Sequence, residues 1–112
     1  MTLVGDSLPM QKLMVLYPMP RSPEEFRQYY LTNHLPLAAQ LPGLKSSRYS
    51  LAVEGLGEEA PYFCVWEGEF DSSADLDAAL SSEIGQRVAA DIPNYATRGA
   101  ILIRCTPVES TQ

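Results

Sequence analysis

His34 is the single histidine of this 112-residue chain, and Tyr29, Tyr30 and Asn33 stand within five positions before it. An imidazole suits proton transfer because its ordinary pKa, about 6.5, lies close to neutrality. A well-placed general acid or base accelerates a reaction by roughly 10²–10⁴-fold. Tyr30, one helical turn earlier, adds a phenol that can donate or accept. This pair is the candidate catalytic set, and an isomerisation, cyclisation or lactone rearrangement needs nothing beyond it. The same histidine has a structural role open to it, which is to satisfy a nearby backbone carbonyl and lock the local chain.

The segment that carries these residues runs from Phe26 to Leu44. Ser22-Pro23-Glu24-Glu25 reads as its start: a capping hydroxyl, a proline suited to the first helical position, and the glutamate of a capping box. At 100° per residue Phe26, Tyr30, Asn33, Leu37 and Leu41 share one stripe, flanked by Tyr29 and His34. Pro36 lacks the N–H owed to Thr32 and disfavours helical angles at Leu35. The expectation is therefore a break or sharp kink near His34 and Leu35, with Pro36 opening a second helical segment that Pro42-Gly43 ends. His34 would then lie in a last helical turn, where the dipole favours the imidazolium and titration falls in the physiological range.

Composition excludes several other classes. Net charge is −6 without a basic cluster, which argues against nucleic acid and anionic membranes. No apolar run approaches the ~20 residues of a membrane span. The first ten residues lack a charged-then-apolar leader pattern, so the expected location is the cytoplasm. Cys64 and Cys105 do not make a disulfide framework. Neither zinc-ligand spacing nor a glycine-rich phosphate cradle is present, so neither a metal nor a cofactor is expected.

Periodicity supplies the frame. Residues 1–10 read as a loose arm, 11–108 as a single domain and 109–112 as a tail. Gln11–Tyr17 is a compact apolar run suited to a strand buried on both faces. Residues 44–54 alternate as a strand, 55–61 form a loop, and 62–70 are a second strand rich in aromatic and β-branched residues. A second helix begins at the Ser72-Ser73 cap and continues through Ala90; residues 91–97 are a connector, and 99–108 a closing strand. The order β-α-β-β-α-β is an α+β, ferredoxin-like arrangement: an antiparallel sheet of order 4-1-3-2 with both helices on one face. The bare face would still carry apolar side chains, and a homodimer packing two such faces together is the simplest way to cover them.

At Phe26, Tyr29-Tyr30, His34, Pro36-Leu37 and Pro42-Gly43 the chain resembles the EthD family. Tyr17-Pro18 also resembles that family's first-strand ending, and the likeness spans roughly residues 11–106. The resemblance implies a dimeric α+β barrel and an association with breakdown of ethers and other small organic compounds, often beside oxygenases. It also implies a pocket between sheet and helices. His34 and Tyr30 would be its reacting groups, and Tyr17, Tyr29, Asn33, Leu37, Trp66 and Arg48 its substrate-binding side chains. The partners expected are a small organic molecule and a second copy of the chain, in a dimer or a larger oligomer. Two other roles stay open: a non-catalytic accessory or binding protein of an oxygenase pathway, and a cofactor-free monooxygenase. For each aromatic the alternative is core packing. For Arg48 and Arg104 it is a sheet edge or an acidic neighbour.

Overall fold

In the computed structural model residues 9–109 are described; most of the expected arm and the last three residues of the tail lie outside that range. β1 (Gln11–Tyr17) has the expected bounds, but its two faces differ. Gln11, Leu13, Val15 and Tyr17 are buried, whereas Lys12, Met14 and Leu16 are half-covered, because helices shield one side only. β2 (Ser46–Leu51) is shorter than the alternating pattern suggested. It ends where Ala52 turns to φ 56°, a left-handed angle at which a non-glycine residue cannot continue a strand. β3 (Cys64–Phe70) and β4 (Ile101–Cys105) complete a four-stranded sheet of order β2-β3-β1-β4, antiparallel throughout. The expected ferredoxin-like topology is present. β1 lies between β3 and β4, and both cysteines are free thiols.

The helices depart from expectation in one informative way. α1 (Pro23–Tyr29) starts as read, with the Ser22 hydroxyl accepting from the Glu25 N–H. Instead of breaking before Pro36, the chain then widens into a π turn over Tyr30–His34 and passes directly into α2 (Leu35–Ala38). Leu35 keeps helical angles, φ −60° and ψ −42°, and its N–H reaches the Tyr30 carbonyl five residues back. A π turn admits one extra residue and opens the backbone, so the proline ring and its missing N–H are absorbed without a break in the helical run. In place of the expected break there is a change of phase. The buried column becomes Phe26, Tyr30, His34 and Ala38, in steps of four, and the 3.6-residue stripe through Asn33 and Leu37 does not hold.

The second helical region divides at Ser82. α3 (Ser73–Ser81) is capped by Ser72, and α4 (Glu83–Asp91) by Ser82, whose ψ of 166° interrupts the helix. A Cβ at Gly85 would overlap the Ala79 and Leu80 carbonyls, so the corner needs glycine there. A 3₁₀ turn (Ile92–Asn94) leads to buried Tyr95. Between helices and sheet lies a core in which Tyr17, Phe26, Tyr30 and Tyr95 meet mostly edge-to-face or tilted, at centroid distances of 5.1–5.6 Å. Each such pair contributes about 0.5–1.5 kcal/mol beyond its area burial.

Gly68 tests this packing. Its position on β3 lies under the Trp66 ring, which a Cβ would overlap. Gly68→Ala is expected to displace that ring and to cost about 1–3 kcal/mol. Thermal unfolding, read beside the emission of the sole tryptophan, measures both effects.

Candidate active site

The π turn carries the histidine inward. His34 is 3% exposed, with the Tyr30 ring stacked near it (5.7 Å, 13°) and Tyr95 approaching to 4.6 Å. Its Nδ1 lies 2.9 Å from Oδ2 of Asp91, the last residue of α4. The structural role expected for His34 was a bond to a freed carbonyl; its partner here is a carboxylate. Asp91 also accepts from the Tyr29 hydroxyl (2.6 Å) and the Asn94 amide (2.9 Å), both on Oδ1.

These bonds decide the charge state. Burial would raise the Asp91 pKa, but the hydrogen bonds from Tyr29, Asn94 and His34 outweigh it and hold the carboxyl below its ordinary 3.8. They also offset the α4 dipole, whose negative end disfavours a carboxylate. For His34 burial dominates and lowers the pKa from 6.5, while Asp91 opposes that shift only in part. The dipole argument for an imidazolium therefore gives way to desolvation. The resting pair is a neutral imidazole donating its Nδ1 proton to an ionised Asp91. Nε2 is left as an acceptor, and the side-chain bond His34 makes among the described residues is the one to Asp91 through Nδ1.

His34 borders a cavity of about 40 Å³ between the sheet and the helices. Leu13, Val15, Trp66 and Leu102 form its floor, Ala38 and Leu41 one wall, and Val88 and Ile92 of the α4 side the other. Among the described residues that border it, His34, Tyr17 and Trp66 carry polar side-chain atoms, and the Tyr17 hydroxyl is bonded to that of Tyr95 at 2.6 Å. Burial raises both phenols well above their ordinary pKa of 10.0, so they stay neutral.

The other expected site residues lie outside this cavity. Tyr30 is fully buried; its hydroxyl lies near Tyr17 and Cys64 but has no hydrogen-bond partner among the described residues. Burial pushes its pKa far up and raises the Cys64 thiol to about 11. Tyr29 stacks on Tyr95 (5.7 Å, 17°) and acts on the site through Asp91. Asn33 is exposed and donates to Thr32, while Leu37 borders a shallow groove on the outer side of Asp91. Arg48 stands opposite Glu67 on the bare face of the sheet. Arg104 is held at 2.6 Å by Asp77.

Asp91 escaped the sequence reading because it is 57 residues from His34. One signal pointed to it: a carboxylate at a helix C-terminus works against the dipole and calls for compensating donors. Among the described residues no three His, Cys, Asp or Glu side chains converge as a metal site requires. None of the described helices is long and apolar enough to cross a membrane.

Comparison with known proteins places this arrangement. The EthD domain matches residues 20–99, which include the whole π turn and Asp91. The chain belongs to the EthD family. An uncharacterized 11.0 kDa protein in the thcB-thcC intergenic region of Rhodococcus erythropolis is 28% identical to this EthD chain over 94 residues, covering 84% of it and 91% of the relative. An EthD family protein from Bacillus halodurans superposes with a TM-score of 0.83 at 24% identity, over 88% of this chain and 99% of the other. Two enzymes share the fold at 11% identity. Hydroxynitrile lyase from Passiflora edulis has a TM-score of 0.71 over 95% of this chain and 99% of its own. SnoaB, a cofactor-independent oxygenase from Streptomyces nogalater, has a TM-score of 0.66 over 92% and 97%.

The two lowered pKa values act on stability in the same direction. The unfolded chain takes up protons more readily than the folded one, first at His34 below about pH 6.5 and then at Asp91 below about 3.8. Their contribution is complete above pH 6.5 and is lost as pH falls. Urea unfolding at a series of pH values is expected to show this decline, with His34→Gln flattening the part that begins as pH falls below 6.5.

Proposed function

We propose that this EthD protein binds a small, largely apolar organic molecule and that His34 acts on it as a general base through Nε2. The observation that carries this reading is the His34–Asp91 pair at the wall of an otherwise apolar cavity. Asp91 is the positioning residue: it fixes the Nδ1–H tautomer and stabilises the imidazolium formed when Nε2 takes a proton. Returning that proton at a neighbouring atom completes an isomerisation or cyclisation. Tyr30 supports the site through its ring, which stacks near the imidazole. The lyase and the cofactor-independent oxygenase among the structural neighbours support the fold's capacity for such chemistry. Breakdown of ethers or related compounds is the setting we propose, in the cytoplasm.

Deuterium exchange measures the proposed step directly. Small hydroxyketones, hydroxylactones and hydroxyarenes incubated with the protein in D₂O are followed by NMR for loss of an acidic C–H. At least one is expected to exchange, with His34→Gln slowing the reaction by about 10²–10⁴-fold and Tyr30→Phe retaining it. Absence of exchange across the panel, with the His34 resonances unmoved by every compound, would overturn the reading.

The working unit we propose is a homodimer closed over the bare sheet face. Met14, Leu16, Val65, Ile101 and Ile103 share that face by the strand register, and Ile101 and Ile103 are 45% and 43% exposed. Dimeric ferredoxin-like proteins from Jannaschia sp. CCS1 and Thermobifida fusca support this assembly. Sedimentation at micromolar concentration is expected to give a dimer, which Ile103→Glu shifts toward monomer. A wild-type monomer would count against it.

A further inference from the structure

The cavity's chemistry selects its ligand more narrowly than its apolar character alone. We propose that the site takes an uncharged, mainly hydrocarbon molecule that presents one O–H or N–H donor to His34 Nε2, and that it rejects carboxylates. This rests on the general-base reading of His34, to which it adds the substrate class.

The argument begins with what borders the space. No lysine or arginine does so among the described residues. The basic side chains nearest in the fold are committed or face elsewhere. Arg104 is held by Asp77 and Ser73, and Lys12 pairs with Glu67 on the opposite face. Arg87 borders the outer groove beyond Asp91. A ligand carboxylate would therefore lose its hydration without gaining a cation. It would also approach a pair whose net charge is −1, since Asp91 is ionised and His34 neutral. A ligand ammonium would find that charge attractive, but only across an aliphatic wall that leaves its remaining N–H groups unpaired.

The hydrogen-bond inventory sets the polarity of the one contact that remains. Nδ1–H is taken by Asp91, so His34 offers an acceptor and no donor. The Tyr17 hydroxyl is paired with Tyr95. A ligand that brings only an acceptor, such as an ether or ester oxygen, would leave Nε2 unsatisfied. A ligand that brings a donor satisfies Nε2 and places its acidic hydrogen on the base.

Size points the same way. About 40 Å³ accommodates only a few water-sized groups. The donor end enters this space, and the hydrocarbon remainder lies across Leu80 and Leu102, which border the cavity yet are 37% and 47% exposed.

Four probes of matched shape separate the possibilities: 4-ethylphenol, 4-ethylanisole, 4-ethylbenzoate and ethylbenzene, each titrated into the wild-type protein at pH 7.5. Two readouts are used, the emission of Trp66, which borders the cavity, and the NMR shifts of the single histidine. The phenol is expected to saturate both signals and to bind at least about tenfold tighter than the anisole or ethylbenzene, the fold-change of one net hydrogen bond. The benzoate is expected not to bind at the same concentrations, and Leu102→Lys, which sets a cation at the rim, to admit it. Equal binding of phenol and anisole overturns the donor requirement while leaving the apolar site intact, and benzoate binding as tightly as phenol to the wild type overturns the rejection of carboxylates. Failure of all four, with His34 unmoved, overturns the proposal. Deuterium exchange by another compound would then still uphold the general-base reading.

Discussion

The N–H of Leu35 reaches the carbonyl of Tyr30 rather than that of Leu31, and this displaced hydrogen bond decides what faces the sheet. One extra residue in the turn rotates every later side chain of the segment. His34 and Ala38 swing under the helix, and Asn33 swings out to solvent. Without the displacement the imidazole would sit on the flank of the helix, away from α4. Pro36 makes the displacement favourable, since a regular helix would leave the Thr32 carbonyl without a donor and crowded by the proline ring. The placement of His34 thus depends on a backbone irregularity, and the rest of the fold is regular enough to hold it.

The frame was legible because its signals are local. A seven-residue apolar run between prolines, serine caps at Ser22 and Ser72, and alternation around Tyr49 each report on a few neighbouring residues. Their order alone then fixes the topology through the handedness of the crossovers. The phase of the Phe26–Leu44 segment was not legible, because a proline in a helical pattern has two outcomes, a break or a widened turn. The sequence rules describe the first more strongly. Asp91 was harder still. Its relation to His34 exists only once α4 is folded back against the π turn, and no spacing in the chain announces it.

Electrostatics unites the pieces that sequence kept apart. Desolvation lowers the basicity of His34, and Asp91 restores part of it while holding the tautomer that leaves Nε2 free. Tyr29 and Asn94 keep Asp91 ionised at a helix end that disfavours it. Neither of these two borders the cavity, yet each contributes to the state of His34, which does. Charge-assisted hydrogen bonds contribute roughly 1.5–3 kcal/mol each, which suits a carboxylate serving as an anchor. A histidine retained only to satisfy a backbone carbonyl would need none of this second layer.

The empty space has two separate origins, and the difference bears on purpose. At Gly85 the gap follows from the α3–α4 corner, where the Ala79 and Leu80 carbonyls leave no room for a side chain. At Ala38 the gap follows from the small side chain itself, which borders the cavity from a helical turn. A leucine there would extend into the gap and gain about 1.5–3 kcal/mol from burying its side chain. Close packing is the rule for protein interiors, and an unfilled space beside His34 runs against it. Selection for stability alone would favour filling that space. Selection for access to Nε2 would keep it open, and the small residue at position 38 fits the second pressure.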